Sequence, residues 1–132
     1  MHPLAGRWIA NIPESRRDPN HQFESATMRF EIDGVMVSLV YGGVNAQGRQ
    51  EQGTQRLHAD GQERVVPEAA ETTAICTLDE RALHALGRKN GLDVGRSSYR
   101  VSTDGRTMTA TVTGIDAAGK SFDQVIVFDR ES

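Results

Sequence analysis

Four histidines, one cysteine and a scatter of aspartates are the residues of this chain with the most chemical potential. His2, His21, His58 and His84 show no HxH or HExxH spacing and so do not spell a metal site; His84 alone sits inside a mainly apolar run. Cys76 lies between Ile75 and Thr77, one residue before Leu78, which is the setting of a buried small apolar residue, and a single cysteine excludes an internal disulfide. Asp33, Asp60, Asp79, Asp104 and Asp116 stand in turn sequences, where a carboxylate bonds the nearby backbone. Ser15, in Glu14-Ser15-Arg16-Arg17, belongs to no nucleophile elbow, and Gly42-Gly43 lacks the helix start that a phosphate loop requires. Arg16-Arg17 carries the charge to meet an anionic head group, or is simply a solvated loop pair. The expectation is therefore no catalytic residue, no metal ligand and no cofactor.

The elements that must position these side chains are strands. Turn signals at Asp33-Gly34, 45–48, Asp60-Gly61, Asp79-Glu80, Asn90-Gly91, Asp104-Gly105 and 116–119 recur between runs rich in Val, Ile, Thr, Phe and Tyr. Period two is plain at 106–115, where Thr107, Thr109, Thr111 and Thr113 alternate with Met108, Ala110 and Val112. It recurs at 23–32, where Ala26, Met28, Phe30 and Ile32 oppose Ser25, Thr27, Arg29 and Glu31. The pattern predicts strands at 5–12, 22–32, 35–44, 49–58, 62–67, 72–78, 82–88, 92–102, 106–115 and 120–129. The last of these before 72 merges with its successor if Pro67 marks a bulge, leaving nine. Only 13–21 and 67–72 leave room for a helical turn. Gly42-Gly43, Gly53, Gly87, Gly95 and Gly114 interrupt strand-like runs, as a sharply bent, closed sheet requires. The predicted fold is all-β: a single up-and-down antiparallel β-barrel of about nine or ten strands, one domain over 1–132.

With 132 residues, a formal charge of -3 and fifteen Lys and Arg spread along the chain, there is no basic footprint for nucleic acid. No apolar stretch approaches the roughly twenty residues of a membrane-spanning helix. Met1-His2-Pro3 runs into Gly6-Arg7-Trp8 without a secretory apolar region, so the expected location is cytoplasmic, with export the alternative if a signal has been removed. The oligomeric state is not legible.

Gly6-Arg7-Trp8 at the start of the first strand resembles the Gly-x-Trp signature of lipocalins. The succession Ser102-Thr103-Asp104-Gly105-Arg106-Thr107-Met108-Thr109, then Gly114-Ile115-Asp116-Ala117-Ala118-Gly119, resembles a hairpin of small bacterial lipocalin-like proteins. The short-turn meander is similar to fatty-acid-binding proteins. The resemblance implies a calycin-type barrel around a small, mostly apolar molecule, with an Arg over the Trp at a closed base. Two departures stand beside it: no clear helix-turn-helix in the first connection, and no helix after Arg130.

Successive connections of a meander alternate between the barrel ends. Asp33-Gly34, Asp60-Gly61, Asp79-Glu80 and Asp104-Gly105 therefore gather at one end; 13–21, 45–48, 68–71, 89–91 and 116–119 gather at the other. The longer connections, above all 13–21, can cover a mouth. Gly6, Trp8 and Arg130 then meet at the tight, closed base. Inward-facing residues are expected to include Phe30, Leu39, Leu86, Val101, Ile126 and Phe128, with Met28, Tyr41, His84, Tyr99, Met108, Phe122 and Gln124 as ligand-binding candidates. The expected function is binding of a small hydrophobic or amphipathic molecule without covalent chemistry. A filled barrel serving as an interaction or structural domain would instead lack a cavity of about 300 Å³. A barrel isomerase or lyase would bring His84 and Tyr99 within hydrogen-bond reach.

Overall fold

Alternating apolar and polar residues produce ten antiparallel strands. They are β1 (Gly6–Arg16), β2 (Phe23–Asp33), β3 (Met36–Asn45), β4 (Gln50–His58), β5 (Asp60–Val65), β6 (Thr72–Leu78), β7 (Ala82–Lys89), β8 (Leu92–Val101), β9 (Thr107–Ile115) and β10 (Ser121–Arg130). The structure, a computed structural model, describes residues 2–19, 22–116 and 118–131. His21 in the expected lid and Ala117 in the last turn lie outside the described residues.

The ladder order is β4-β3-β2-β1-β10-β9-β8-β7-β6-β5, so the sheet curls round until its two edges, β4 and β5, face each other. These edges are neighbours in sequence, separated by Ala59 alone, yet no ladder joins them. The result is a barrel closed except for one seam. Glu68, in the connection after β5, reaches across it: its carboxylate accepts from the Arg56 amide at 3.0 Å and from the Arg56 guanidinium at 3.3 Å.

Two expectations need correction. Pro67 is not inside a strand: β5 ends at Val65, and a turn in which the Ala69 amide donates to the Val66 carbonyl leads to β6, so the count is ten. Strand β1 does not stop at Ile12. It passes through Pro13 by a register shift between Asn11 and Arg16, where the Ser15 hydroxyl donates to the Asn11 carbonyl and accepts from the Val127 amide. The missing proline N–H and the shift are what a bulge accommodates, so the first connection is shorter than 13–21.

The tight end is sealed. Trp8 is fully buried, pairs in register with Arg130, and donates its indole N–H to the Leu4 carbonyl at 2.9 Å. The Arg130 guanidinium lies 4.1 Å from the Trp8 ring and donates to the carbonyls of Gly105, Ala5 and Pro3. Gly6 makes this possible. Its φ is 119°, and a Cβ there would come within 2.9 Å of the Arg130 guanidinium. The Gly-x-Trp spacing thus puts the glycine where the cation needs room and the indole where it needs a face. Ala59 to Val35, Val101 to Arg81 and Arg130 to Arg106 backbone hydrogen bonds tie the base turns together.

Candidate functional site

Register assigns the inward rows of the β7 to β10 wall. From base to mouth they run Val101-Met108-Phe128, Leu83-Tyr99-Ala110-Ile126, Ala85-Ser97-Val112-Gln124 and Gly87-Gly95-Gly114-Phe122. On β7 to β9 the side chains shrink along that direction, from Leu, Tyr and Met to Ala, Ser and Gly, while β10 carries Gln124 and Phe122 at the mouth. Large residues fill the base half, and small ones leave the mouth half open.

The open space has two lobes. One, of about 240 Å³, is walled by Phe23, Ala26, Met28, Tyr41, Tyr99 and Gln124 among others. The second, of about 310 Å³, is walled by Leu39, Gln55, Ala85, Ser97, Tyr99 and Phe122 among others. Tyr99 and Val112 belong to both. The Tyr99 ring is fixed edge-on to Phe30, 5.4 Å between centroids at 62°. Burial raises the pKa of its phenol, with the Ser97 side chain opposing, so the hydroxyl keeps its proton at neutral pH. Two aromatics lie over glycines on the neighbouring strand: a Cβ at Gly53 would strike the Tyr41 ring and one at Gly114 the Phe122 ring.

At the mouth, the segment after β1 is tied to the wall. The Asp18 amide donates to the Gln124 side-chain oxygen at 3.4 Å, and the Arg17 guanidinium lies 5.0 Å from the Phe23 ring while donating to the Phe23 carbonyl. Arg16 pairs with Asp123 through both carboxylate oxygens at 3.2–3.3 Å. Glu51, at the rim of the first lobe, accepts from the Asn45 side-chain Nδ2 at 2.9 Å.

Of the expected lumen residues, Met28, Tyr41, Tyr99 and Gln124 wall the first lobe and Phe122 the second. Met108 instead belongs to the packed base, fully buried between Val101 and Phe128. His84 is a correction. It faces outward with Leu86, because Leu83, Ala85 and Gly87 hold the inward positions of β7. Strand β7 has apolar residues on both faces, so alternation alone could not choose its side. His84 and Tyr99 therefore lie on opposite faces of the wall, and the acid-base pair imagined for them does not form. Ser97 and Gln55 were missed, although Ser97 shares the parity of Tyr99 on its own strand and Gln55 pairs across the ladder with Leu39.

Outside, His84 Nε2 meets Asp79 Oδ2 at 2.9 Å and Nδ1 meets the Ser98 hydroxyl at 3.1 Å. Arg100 also reaches Asp79, at 3.4 Å. The residue types are those of a nucleophilic relay, but the Ser98 backbone is engaged in the β7 and β9 ladders and supplies no oxyanion donor. The network works as a clamp between the 79–81 turn and two strands. The Asp79 carboxyl is held at about 2, below the ordinary 3.8, first by His84 and then by the Arg81 amide. A depressed folded value means that the unfolded chain binds more protons below about pH 4, so the clamp's contribution is full above that pH and fades toward about pH 2. Wild-type protein should therefore melt above Asp79→Asn at pH 5, with the two midpoints converging by pH 2. A gap independent of pH would show that the carboxylate is not the stabilising partner. Cys76, inside the wall, is buried, and its thiol is pushed up to about 11 first by burial and then by Asp60, which leaves it unreactive at neutral pH.

Among the described residues there is no cluster of three or more His, Cys, Asp or Glu able to hold a metal, and no helix long and apolar enough to cross a membrane. No protein-family model matches the sequence, and no curated protein does. Solved structures do. The fluorescent protein UnaG is 13% identical over 97% of both chains, with a TM-score of 0.66. Rv2717c from M. tuberculosis is 17% identical over 98% of this chain and 94% of its own, with a TM-score of 0.57. Apocrustacyanin C1 is 14% identical, with a TM-score of 0.53; 98% of this chain aligns to 62% of that longer one. The fold is a calycin-type, lipocalin-like barrel. At these identities the likeness speaks for the fold alone, and the calycin-type barrel of this chain owes its site chemistry to its own inward rows.

Proposed function

We propose that this protein binds a small, mostly apolar molecule inside the barrel, entering at the end that carries the 45–48 turn and the segment after β1. The supporting observation is the pair of lobes of about 240 and 310 Å³ that share Tyr99 and Val112 above a sealed base. In this reading Met28, Tyr41 and Phe122 give apolar contact, and Tyr99 and Gln124 orient the ligand. A few placed polar groups in an apolar pocket are the usual source of specificity. Barrels of this shape commonly enclose ligands, which agrees with this reading. Native mass spectrometry of protein purified from its own host should show a retained small molecule at one per chain, lost on denaturation. Ligand-free protein that also takes up no apolar dye would reject the proposal in favour of a scaffold role.

A further inference from the structure

We infer that the molecule taken up is uncharged at its buried end and presents a neutral hydrogen-bonding group there, a hydroxyl, carbonyl or carboxamide. This rests on the binding reading above and specifies its ligand class. Apart from Glu51 and Arg96, the polar side chains walling the two lobes are uncharged dipoles, among them Tyr99, Ser97, Gln55 and Gln124. Each can donate or accept, and the phenol stays protonated.

The described cations near the interior are either committed to other partners or set on the outward row. Arg130 shares the inward face but is shut beneath the lobes, stacked on Trp8 and donating to three carbonyls. Arg17 stacks on Phe23, and Arg16 pairs with Asp123. Arg64, beside the seam, pairs with Asp60. Arg96 touches the second lobe from β8 but belongs to the outward row with Leu86 and Thr113. The charged side chain that does line the first lobe is Glu51, a carboxylate. A ligand carboxylate in either lobe would lose hydration with no cation on the inward rows to replace it. It would also meet Glu51 on the way in.

Two dyes with one scaffold test this. N-phenyl-1-naphthylamine is neutral, and 8-anilinonaphthalene-1-sulfonate adds a single anionic group to the same rings. Fluorescence titration at pH 7.4 should give a Kd at least tenfold lower for the neutral dye. Placing a cation in the second lobe, Gln55→Lys, should shrink that ratio by favouring the sulfonate. Equal or tighter binding of the sulfonate by the wild type, or a ratio unmoved by Gln55→Lys in a variant that still binds the neutral dye, overturns the inference. Failure of both dyes to bind the wild type rejects the cavity reading itself, a separable result.

Discussion

Trp8→Ala should destabilise the protein by about 3–5 kcal/mol, since it removes the largest of the fully buried side chains and leaves a cavity in the base. Arg130→Met should cost about 2–4 kcal/mol, because three carbonyls lose a charged donor and the indole loses its cation. The double variant should fall short of the sum by about 1–2 kcal/mol, the coupling expected of a guanidinium stacked on an indole. Equilibrium urea denaturation measures all three. Strict additivity would mean that the two side chains contribute separately and that the base is not one unit. Against a typical domain stability of about 5–15 kcal/mol, either single change consumes a large share.

Val112→Trp should weaken binding of an apolar probe by at least tenfold while the fold survives. Val112 is shared by both lobes, so one indole occupies space on each side of Tyr99. The site is hollow, so the added volume fills a void instead of forcing packed atoms apart, and the stability change should be about 1 kcal/mol or less in either direction. Dye titration alongside a thermal melt separates the two effects. Unaltered affinity in a folded Val112→Trp protein would place the probe outside the barrel.

Much of this architecture is legible in the sequence. The Thr-rich alternation of 107–115 and the Asp-led turns act within ten residues of themselves, so the strands and the sorting of connections by end follow from local chemistry. The pairing of Trp8 with Arg130 then follows from the strand count, and the structure has it. What was hidden depends on distant partners. Pro13 looks like a strand terminator until Val125 and Val127 are placed opposite its bulge. His84 looks inward until the register sets Leu83 beside Tyr99 on the inner face and His84 beside Ser98 on the outer one. Whether the barrel is hollow turns on Ala85, Ser97, Gly95 and Gly114 falling into adjacent rows, which only the register between strands decides.

The sheet order also fixes how the molecule must come together and come apart. Strands β1 to β4 form one leaf of sequential hairpins and β5 to β10 another, and the ladder between β1 and β10 is the spine that binds them. That spine joins residues more than a hundred positions apart, so it carries the large loop-closure cost, whereas each leaf assembles from neighbours. At the far side, β4 and β5 meet without a ladder, like the fore-edge of a book, with the Glu68 carboxylate on Arg56 as a clasp. Parting the sheet there breaks no ladder, whereas parting it between any other two neighbouring strands breaks one, so the wall has a weak line along its side as well as an open rim.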